Sequence, residues 1–251
     1  MTRTILSGCS GRMGQVISRM IAQRQDMAIV CGFDVNASTD EAFPVYANPK
    51  DCTEQADVLI DFSNAAALDA LLSYCMDKKL PLVLCTTGFS EAQLTALDEA
   101  AREIPIFRSG NMSVGINVVM DLIRRTASLL GDDFDVEIME RHHKKKLDAP
   151  SGTALMLADA AAEGLPHKSE YIFERESRRQ ERNAEEIGIS AIRGGTIVGE
   201  HTVIFAGHDE VIEITHKAYS REIFAKGALD AARYLAGKAA GHYNMSNMLS
   251  E

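Results

Sequence analysis

The 251-residue sequence has no apolar run approaching the ~18 residues that a membrane-spanning helix needs. It also lacks the apolar core of a signal peptide, because the first short apolar stretch ends at Gly8. Excess positive charge is missing as well: the net charge is −10, which argues against nucleic acids and anionic membranes as partners. We therefore expect a cytoplasmic protein that binds neither.

Cysteine is scarce and unevenly placed. The five cysteines form no C-x-x-C pair, and all lie within the first 85 residues: Cys9, Cys31, Cys52, Cys75 and Cys85. This odd, scattered set predicts reduced thiols in a reducing compartment. The adjacent His142 and His143 belong to no H-x-x-x-H or Cys/His grouping, so the ligand spacing of a metal site is absent and none is expected.

The hydrophobic pattern predicts an α/β protein. In the first half, apolar runs at 4–7, 28–33, 58–61, 82–85 and 104–107 alternate with helical patterns at 12–24, 65–78 and 90–102. This alternation favours a parallel sheet with helical crossovers, a Rossmann-like domain. Strands dominate from about residue 113 to 221, indicating a second, α+β domain. A helix at 223–238 could return to the first domain, giving boundaries of 1–112 plus 222–251 and 113–221. The polar segment 171–186 is expected to be solvated.

A glycine loop follows the first predicted strand directly. Gly8, Gly11 and Gly14 have the spacing G-x-x-G-x-x-G, and a helical pattern follows them. Such a loop lets a pyrophosphate approach the N-terminus of the helix closely. Asp34 ends the second strand, where a carboxylate can accept hydrogen bonds from the adenine ribose and favour NADH. The intervening Ser10, Arg12 and Met13 complete the predicted dinucleotide site.

A basic run at 140–147 precedes a helix start. Taken alone, it would be a solvated basic turn, but Pro150 and Ser151 follow it, and Ser151 is a good N-cap for a helix over 154–162. The backbone N–H groups of Gly152 and Thr153 would then face outward at the positive end of a helix dipole. Lysines, imidazoles and this helix end together predict a site for a small anion with more than one negative group.

Several motifs together resemble the dihydrodipicolinate reductase family nearly end to end. In chain order they are Gly8-x-x-Gly11-Arg12-Met13-Gly14, Asp61-Phe62-Ser63, Cys85-Thr86-Thr87-Gly88-Phe89, Asn111-Met112-Ser113-Val114-Gly115, the block from Glu140 to Ala154, Arg193-Gly194-Gly195, Gly199-Glu200-His201-Thr202 and Thr215-His216-Lys217-Ala218. The resemblance implies a cytoplasmic homotetramer that reduces the cyclic dicarboxylate 4-hydroxy-tetrahydrodipicolinate to tetrahydrodipicolinate with NADH or NADPH. The second domain would bind substrate and mediate assembly.

The resemblance also implies residue roles. His142 would be the acid/base residue and Lys146 the proton donor, although the sequence leaves open which of them delivers the proton. The implied substrate residues are His143, Ser151, Gly152 and Thr153. The implied residues on the nicotinamide side are Cys85, Thr86, Thr87, Ser109, Gly110, Asn111 and Met112. Crowding by Arg141, Lys144 and Lys145 would help Lys146 to release its proton.

The sequence departs from the family pattern in two places. Cys85 stands where the family commonly has glycine before two threonines, a change that we expect to be tolerated. Asp34-Val35 lacks the acid-plus-arginine pair of members that use both cofactors. We therefore expect NADH to be preferred, with NADPH tolerated through Arg12.

Two other functions would fit part of the sequence. A relative of aspartate-semialdehyde dehydrogenase or homoserine dehydrogenase would share the architecture, but the former needs a catalytic cysteine in its second domain, and no cysteine follows Cys85. A non-catalytic NAD sensor would need an interaction element such as a helix-turn-helix with a basic face, and the sequence shows none.

Overall fold

A computed structural model describes residues 1–36 and 42–251 of the chain. The chain forms two compact units, one of Met1–Ser113 with Glu222–Glu251 and the other of Val114–Arg221. Within the described ranges, no helix combines the length and the apolar character that crossing a membrane requires.

The first unit is built on a seven-stranded parallel sheet. Numbered along the whole chain, its strands are β1 (Thr2–Ser7), β2 (Met27–Phe33), β3 (Val45–Tyr46), β4 (Val58–Asp61), β5 (Leu82–Leu84), β6 (Pro105–Arg108) and β12 (Gly241–Tyr243). Their order is β3-β2-β1-β4-β5-β6-β12, and every neighbouring pair is parallel. The chain winds outward in both directions from β1, so the sheet is doubly wound, as the α/β pattern predicted.

Helices cover both faces of this sheet. They are α1 (Arg12–Ala22), α2 (Leu68–Lys78), α3 (Glu91–Ala100), α6 (Glu222–Leu235) and α7 (Met245–Ser250). One core joins the sheet to α2 and α3 through residues such as Leu71 and Leu97, and the other joins it to α1 and α6 through Ile17 and Leu229. Burial on both faces explains why β4 is almost continuously apolar.

Local sequence sets the ends of these helices. Ser90 starts α3 with a capping box, in which its hydroxyl accepts the Gln93 N–H and the Gln93 side chain accepts the N–H of Ser90. The helix predicted over 65–78 is divided: Ala65–Ala67 form a 3₁₀ turn capped by Asn64, and α2 begins only at Leu68.

The second unit has a mixed five-stranded sheet with two helices on one face. Its elements are α4 (Val114–Leu130), β7 (Asp135–His142), α5 (Gly152–Gly164), β8 (Glu170–Ile172), β9 (Glu186–Arg193), β10 (Gly199–Ala206) and β11 (Val211–Ala218). The order is β11-β10-β7-β9-β8, with β7, β9 and β8 parallel and the β10 pairings antiparallel. Ile123 of α4 and Leu157 of α5 pack against Ile138 and Val203 of the sheet.

Burial alternates along β7, and this alternation positions the site. Val136, Ile138, Glu140 and His142 are buried, whereas the residues between them are only half-buried. Because successive side chains of a strand point to opposite faces, Glu140 and His142 share the helix-covered face with the apolar core. Glu140 and His142 are the polar residues among the buried side chains of this strand.

The segment 171–186 is largely exposed, as expected, but it is attached to the sheet at its ends and by ion pairs. It begins within β8, where Ile172 is buried, and ends on the buried Glu186. In between, Arg175 pairs with Glu186 and Glu137, and Arg182 pairs with Glu137. Most side chains of the segment are exposed, but these ion pairs fasten it to the sheet.

Candidate functional site

The carboxyl edge of the parallel sheet gathers the residues predicted to bind a dinucleotide. Four strands run in the same direction, so the segments that follow them emerge at the same edge. These segments are Gly8–Gly14 after β1, 62–64 after β4, 85–87 after β5 and 109–112 after β6. Strand order reverses between β1 and β4, the place where doubly wound sheets bind their ligands.

The glycine loop is closely packed. Gly8 has φ +76°, and a Cβ there would lie 2.6 Å from the Phe62 carbonyl oxygen. A Cβ at Gly14 would lie 2.2 Å from the Gly8 carbonyl oxygen, so a side chain at either position would force the loop apart. Gly11 is the N-cap of α1 and supplies no side-chain cap. The N-terminus of α1 is therefore suited to an anionic group such as a pyrophosphate.

Asp34 lies beside this loop at the end of β2. Its carboxylate accepts hydrogen bonds from the Ser10 N–H and the Asn36 N–H, each at 3.0 Å. It also borders a cavity of about 400 Å³ whose other walls include Gly8, Gly11 and Phe62. A fixed carboxylate on the wall of such a cavity fits the ribose of an NAD-type dinucleotide.

Few charged side chains lie near Asp34 in the part of the chain that the structure describes. Val35 is exposed and uncharged, and Arg12, on the first turn of α1, is exposed. Cys9, also in the loop, is fully buried against Gly32 and fills the space beside it.

A second cavity of about 260 Å³ shares Phe62, Ser63 and Asn64 with the first and is closed by Cys85, Thr86 and Thr87. Phe62, Ser63 and Asn64 were not among the predicted site residues. They could have been found from their position after β4, at the reversal of strand order. The Cys85 thiol is neutral, because burial raises its pKa.

Asp61 lies beneath this second cavity and is almost completely buried. Its carboxylate accepts the Ser63 hydroxyl at 2.5 Å and the Thr86 hydroxyl at 2.6 Å. One side chain thus connects the segments that follow β4 and β5. After β6, the Ser109 hydroxyl donates to the Asn111 carbonyl oxygen at 2.9 Å, and Met112 is buried.

In the second unit, a buried carboxylate holds the predicted catalytic histidine. Glu140 is fully buried, and its Oε2 lies 2.6 Å from Nδ1 of His142. Arg193 bonds both carboxylate oxygens, at 2.7 and 2.8 Å. Burial alone would raise the pKa of Glu140, but the hydrogen bonds from Arg193, His142 and the Ser151 N–H outweigh it and lower that pKa. Glu140 is therefore an anion bonded to His142.

The opposite edge of the His142 ring lies close to Gly199, where a side chain would crowd it. A Cβ at Gly199 would lie 3.1 Å from Nε2 of His142, and Gly199 carries no side chain. The His201 ring packs edge-on against His142, with ring centroids 5.1 Å apart. Burial, with His142 adding to it, lowers the pKa of His201 to about 4. His201 is therefore a neutral neighbour at physiological pH.

The N-terminus of α5 begins directly beside this cluster. The Ser151 N–H donates to Glu140 Oε1 at 3.0 Å, and the Ser151 hydroxyl accepts the Ala154 N–H and bonds Nε2 of His201. The N-cap prediction for Ser151 is confirmed, although the helix starts at Gly152, two residues earlier than expected. A Cβ at Gly152 would meet nothing within 4 Å, so the space before this helix end is open.

Lys146 and His143 lie on the turn between β7 and α5. The Lys146 N–H donates to the His143 carbonyl oxygen at 3.0 Å, which folds the turn. Nζ of Lys146 is 2.9 Å from Asp148, whose carboxyl pKa is lowered by this contact. In the described structure, Nδ1 of His143 is buried without a hydrogen-bond partner, as expected of a group that a ligand would satisfy.

Of the cations expected to crowd Lys146, Arg141 is directed elsewhere. The Arg141 guanidinium pairs with Glu200 of β10, on the face of the sheet opposite His142, because successive strand residues alternate. Lys144 and Lys145 are exposed. The nearest charge on Lys146 is instead the carboxylate of Asp148.

Three central residues of this cluster were not among the predicted site residues: Glu140, Arg193 and His201. The period-two alternation of β7 was a usable signal for Glu140, because it places Glu140 and His142 on one face. No local pattern points to Arg193, which lies 53 residues from Glu140 in sequence.

Models of known families match almost the whole chain. "Dihydrodipicolinate reductase, N-terminus" matches residues 2–112, and "Dihydrodipicolinate reductase, C-terminus" matches residues 115–249. The chain belongs to the dihydrodipicolinate reductase family. Among the relatives, the 4-hydroxy-tetrahydrodipicolinate reductase of Clostridium tetani is 50% identical over 250 residues, covering 100% of this chain and 98% of the relative. That of Caldanaerobacter subterraneus is 49% identical over 251 residues, covering 100% and 99%.

Solved structures support the same family. A dipicolinate-bound dihydrodipicolinate reductase from Paenisporosarcina sp. TG-14 matches with a TM-score of 0.78 at 26% identity, covering 97% of both chains. The DAP dehydrogenase of C. glutamicum matches with a TM-score of 0.56 at 15% identity, covering 99% of this chain and 95% of that one. The second match shows a shared fold alone. The dihydrodipicolinate reductase family thus accounts for both units, and the chain is an oxidoreductase with a dinucleotide-binding fold.

Proposed function

We propose that this protein reduces 4-hydroxy-tetrahydrodipicolinate to tetrahydrodipicolinate, with loss of water, using NADH in preference to NADPH. The observation that carries the proposal is the anionic Glu140 bonded to His142 beside the open N-terminus of α5. A proton-carrying imidazole next to a helix end suits a dianionic substrate that must gain a hydride and a proton. The relatives named for this reaction share about half of the sequence.

The substrate would be held by the turn and helix start of the second unit. Gly152 and Thr153 would donate their backbone N–H groups to one carboxylate, and Ser151 fixes the helix end that presents them. The unpartnered Nδ1 of His143 and the ammonium of Lys146 supply further positive or donor groups. Because both carboxylates of the substrate are charged, charge-assisted hydrogen bonds dominate its binding.

The proton would come from His142 or Lys146. Glu140 accepts from Nδ1 of His142, which leaves Nε2 directed away from the carboxylate and able to carry the transferred proton. Lys146 would release Asp148 and turn its ammonium toward the substrate. A positioned proton donor contributes ~10²–10⁴ in rate.

The cofactor would lie at the carboxyl edge of the first unit, which makes 1–112 plus 222–251 the dinucleotide-binding domain and 113–221 the substrate-binding and assembly domain. When bound, the reduced nicotinamide supplies the hydride. Gly8, Gly11 and Gly14 allow the pyrophosphate to approach α1, and Asp34 accepts from the ribose. Cys85, Thr86 and Thr87, with 109–112, would line the nicotinamide side. Asp34 beside the uncharged Val35 favours NADH over the 2′-phosphate of NADPH.

The reaction is tested by following the oxidation of NADH and of NADPH, with substrate made in situ from pyruvate and aspartate semialdehyde. Substrate-dependent oxidation with NADH preferred supports the proposal. Equal or better use of NADPH would keep the reaction and overturn the cofactor preference. A protein that binds NADH but oxidises neither cofactor would indicate a sensor or a catalytically inactive relative.

We also propose a cytoplasmic homotetramer, on the strength of the family likeness. The outer face of the five-stranded sheet offers a surface for assembly, because it exposes the apolar side chain of Ile192 and carries the half-buried Met139. Light scattering on the purified protein would measure the mass, and a monomer at working concentration would contradict the assembly.

A further inference from the structure

A thiol–carboxylate cluster lies in the core of the first unit, apart from the residues assigned above. Sγ of Cys31, in β2, is 3.2 Å from Sγ of Cys52, which follows the 3₁₀ turn Pro49–Asp51. Oε2 of Glu54 is 3.4 Å from Sγ of Cys52. The two sulfur atoms and one carboxylate oxygen all lie within 4.8 Å of one another.

We propose that Cys31, Cys52 and Glu54 bind a thiophilic divalent metal ion of the Zn²⁺ class. Two thiolates and a carboxylate are ligands that zinc accepts, at about 2.3 Å for sulfur and about 2.0–2.2 Å for oxygen. The observed spacing of the three ligand atoms allows one ion to reach all of them after small side-chain movements. Hard cations such as Mg²⁺ prefer all-oxygen sites and would not compete.

The carboxylate is held in place from outside the cluster. Glu54 accepts the Tyr46 hydroxyl through Oε1 at 2.9 Å and the Thr53 N–H through Oε2 at 3.1 Å. The Tyr74 hydroxyl donates to Sγ of Cys52 at 3.3 Å. Groups that orient the ligands of a metal are typical of metal sites, and they distinguish this cluster from thiols that only fill space.

A metal ion can reach the cluster from solvent, and the thiols can release their protons when it binds. Cys31 is fully buried and Cys52 nearly so, but Glu54 is half-buried and reaches the surface. Zinc is ligated by thiolates and not by thiols, so binding releases thiol protons to solvent and the affinity rises with pH.

The ion would connect two segments that line the dinucleotide cavity. Cys31 stands in β2 just before Phe33 and Asp34, and Cys52 follows Pro49; all three of these neighbours line the 400 Å³ cavity. Metal would thus stabilise the folded first unit by linking β2 to the 3₁₀ turn. At a hundredfold excess over Kd, the expected rise in Tm is about 5–10 °C.

Cobalt provides a direct test, because thiolate ligation gives S→Co²⁺ charge-transfer absorption that carboxylate or histidine ligation does not. The full-length protein is stripped with a chelator and titrated with Co²⁺ and then Zn²⁺. The expected result is a stoichiometric charge-transfer band, lost on addition of Zn²⁺ and accompanied by proton release. The band should be absent in Cys31→Ser and Cys52→Ser.

A second set of variants keeps the test decisive if those two fold poorly. Glu54→Gln alters a half-buried side chain and should weaken Co²⁺ affinity at least tenfold, while Cys75→Ser, a buried cysteine outside the ligand set, should keep the band. No charge-transfer band in the stripped wild type would overturn the proposal, as would unchanged affinity in Glu54→Gln. Neither readout depends on reductase activity, so the proposed reaction is tested separately.

Discussion

At the scale of single residues, Glu140 is the group on which the proposed chemistry depends most. It is an anion with no exposed surface, and it is satisfied by a guanidinium, an imidazole and a backbone N–H. Such a network is stable only when every member is present. The carboxylate therefore fixes the orientation of the His142 ring.

Glu140→Gln should lower kcat by ~10²–10³-fold with a smaller change in substrate KM. The loss should fall mainly on kcat, because glutamine no longer holds the His142 ring by a charge-assisted hydrogen bond. Initial rates at varied substrate concentration give both kinetic constants. Glu200→Gln is the matched control, since Glu200 pairs with Arg141 on the opposite face, and its kcat and KM should stay those of the wild type. A Glu140→Gln variant with the kcat of the wild type would remove the positioning role.

Lys146→Ala should reduce kcat by ~10²–10⁴-fold while leaving NADH binding nearly unchanged. The reason is that Lys146 lies in the second unit on the turn before α5, and not among the residues of the dinucleotide cavities. Rates and NADH fluorescence titration measure the two quantities. The exposed Lys145→Ala serves as the control. Equal losses in kcat and in NADH affinity would contradict a proton-donor role.

Asp34→Ala should weaken NADH binding by ~10-fold or more and NADPH binding by less. The carboxylate accepts from the ribose of NADH, but it repels the 2′-phosphate of NADPH, so its removal costs one hydrogen bond in the first case and relieves a repulsion in the second. Fluorescence titrations with both cofactors give the ratio of dissociation constants. A ratio that does not change would show that Asp34 does not contact the ribose.

At the scale of secondary structure elements, the N-terminus of α5 has both a structural role and a proposed functional one. Ser151 caps the helix, bonds Glu140 through its N–H and bonds His201 through its hydroxyl. The cap of α3 is a useful contrast: Ser90 and Gln93 form a complete capping box on an exposed helix end that serves stability alone.

Ser151→Ala and Ser90→Ala form a matched pair. Each removes one N-cap and should cost ~1–2 kcal/mol of unfolding free energy. Only Ser151→Ala should also raise substrate KM, because the helix end that it caps is the one proposed to hold the carboxylate. Urea unfolding and steady-state kinetics separate the two effects. A KM increase of similar size in Ser90→Ala would point to general destabilisation.

The shortest strands could not be predicted from patterns in the sequence. The long strands and helices follow from runs of apolar residues and from caps, and these were predicted to within a few residues. By contrast, β3 and β12 have two and three residues, and they exist only because β2 and β6 offer backbone partners. Pairing of this kind depends on tertiary contacts and leaves no periodicity in the sequence.

At the scale of the whole molecule, stability should fall with acid in a window that His201 defines. Its folded-state pKa of about 4 lies below the unfolded value of about 6.5, so below pH 6.5 the unfolded chain binds a proton that the folded protein excludes. This contribution to stability is full above pH 6.5 and is lost as pH falls toward 4, at a cost of up to ~3 kcal/mol.

The measurement is the unfolding free energy at pH 7 and pH 4.5 for wild type and His201→Asn. The variant has no imidazole to exclude, so its loss between the two pH values should be smaller by about 2–3 kcal/mol. His208→Asn, at an exposed position, should behave as the wild type. Identical slopes for the wild type and His201→Asn would show that His201 is not excluded from protonation in the folded state.

Long-range contacts explain what the sequence could not reveal about the sites. Gly8, Gly14 and Ser151 act through neighbours close in sequence, and their roles could be derived from spacing and capping rules. Arg193 reaches Glu140 across 53 residues, and Cys31 meets Cys52 across 21. Such partners are brought together by the order of strands, which depends on the complete fold.

The first unit is interrupted in sequence: residues 1–113 need Glu222–Glu251 to complete it. Ala225 and Leu229 of α6 are fully buried in the core shared with α1, and β12 extends the sheet beyond β6. During synthesis on the ribosome, the glycine loop therefore emerges long before the helix that buries one face of its sheet. The second unit, continuous in sequence, can complete its own core first. A nascent chain thus acquires a finished dinucleotide-binding fold only after residues 222–251 have left the exit tunnel.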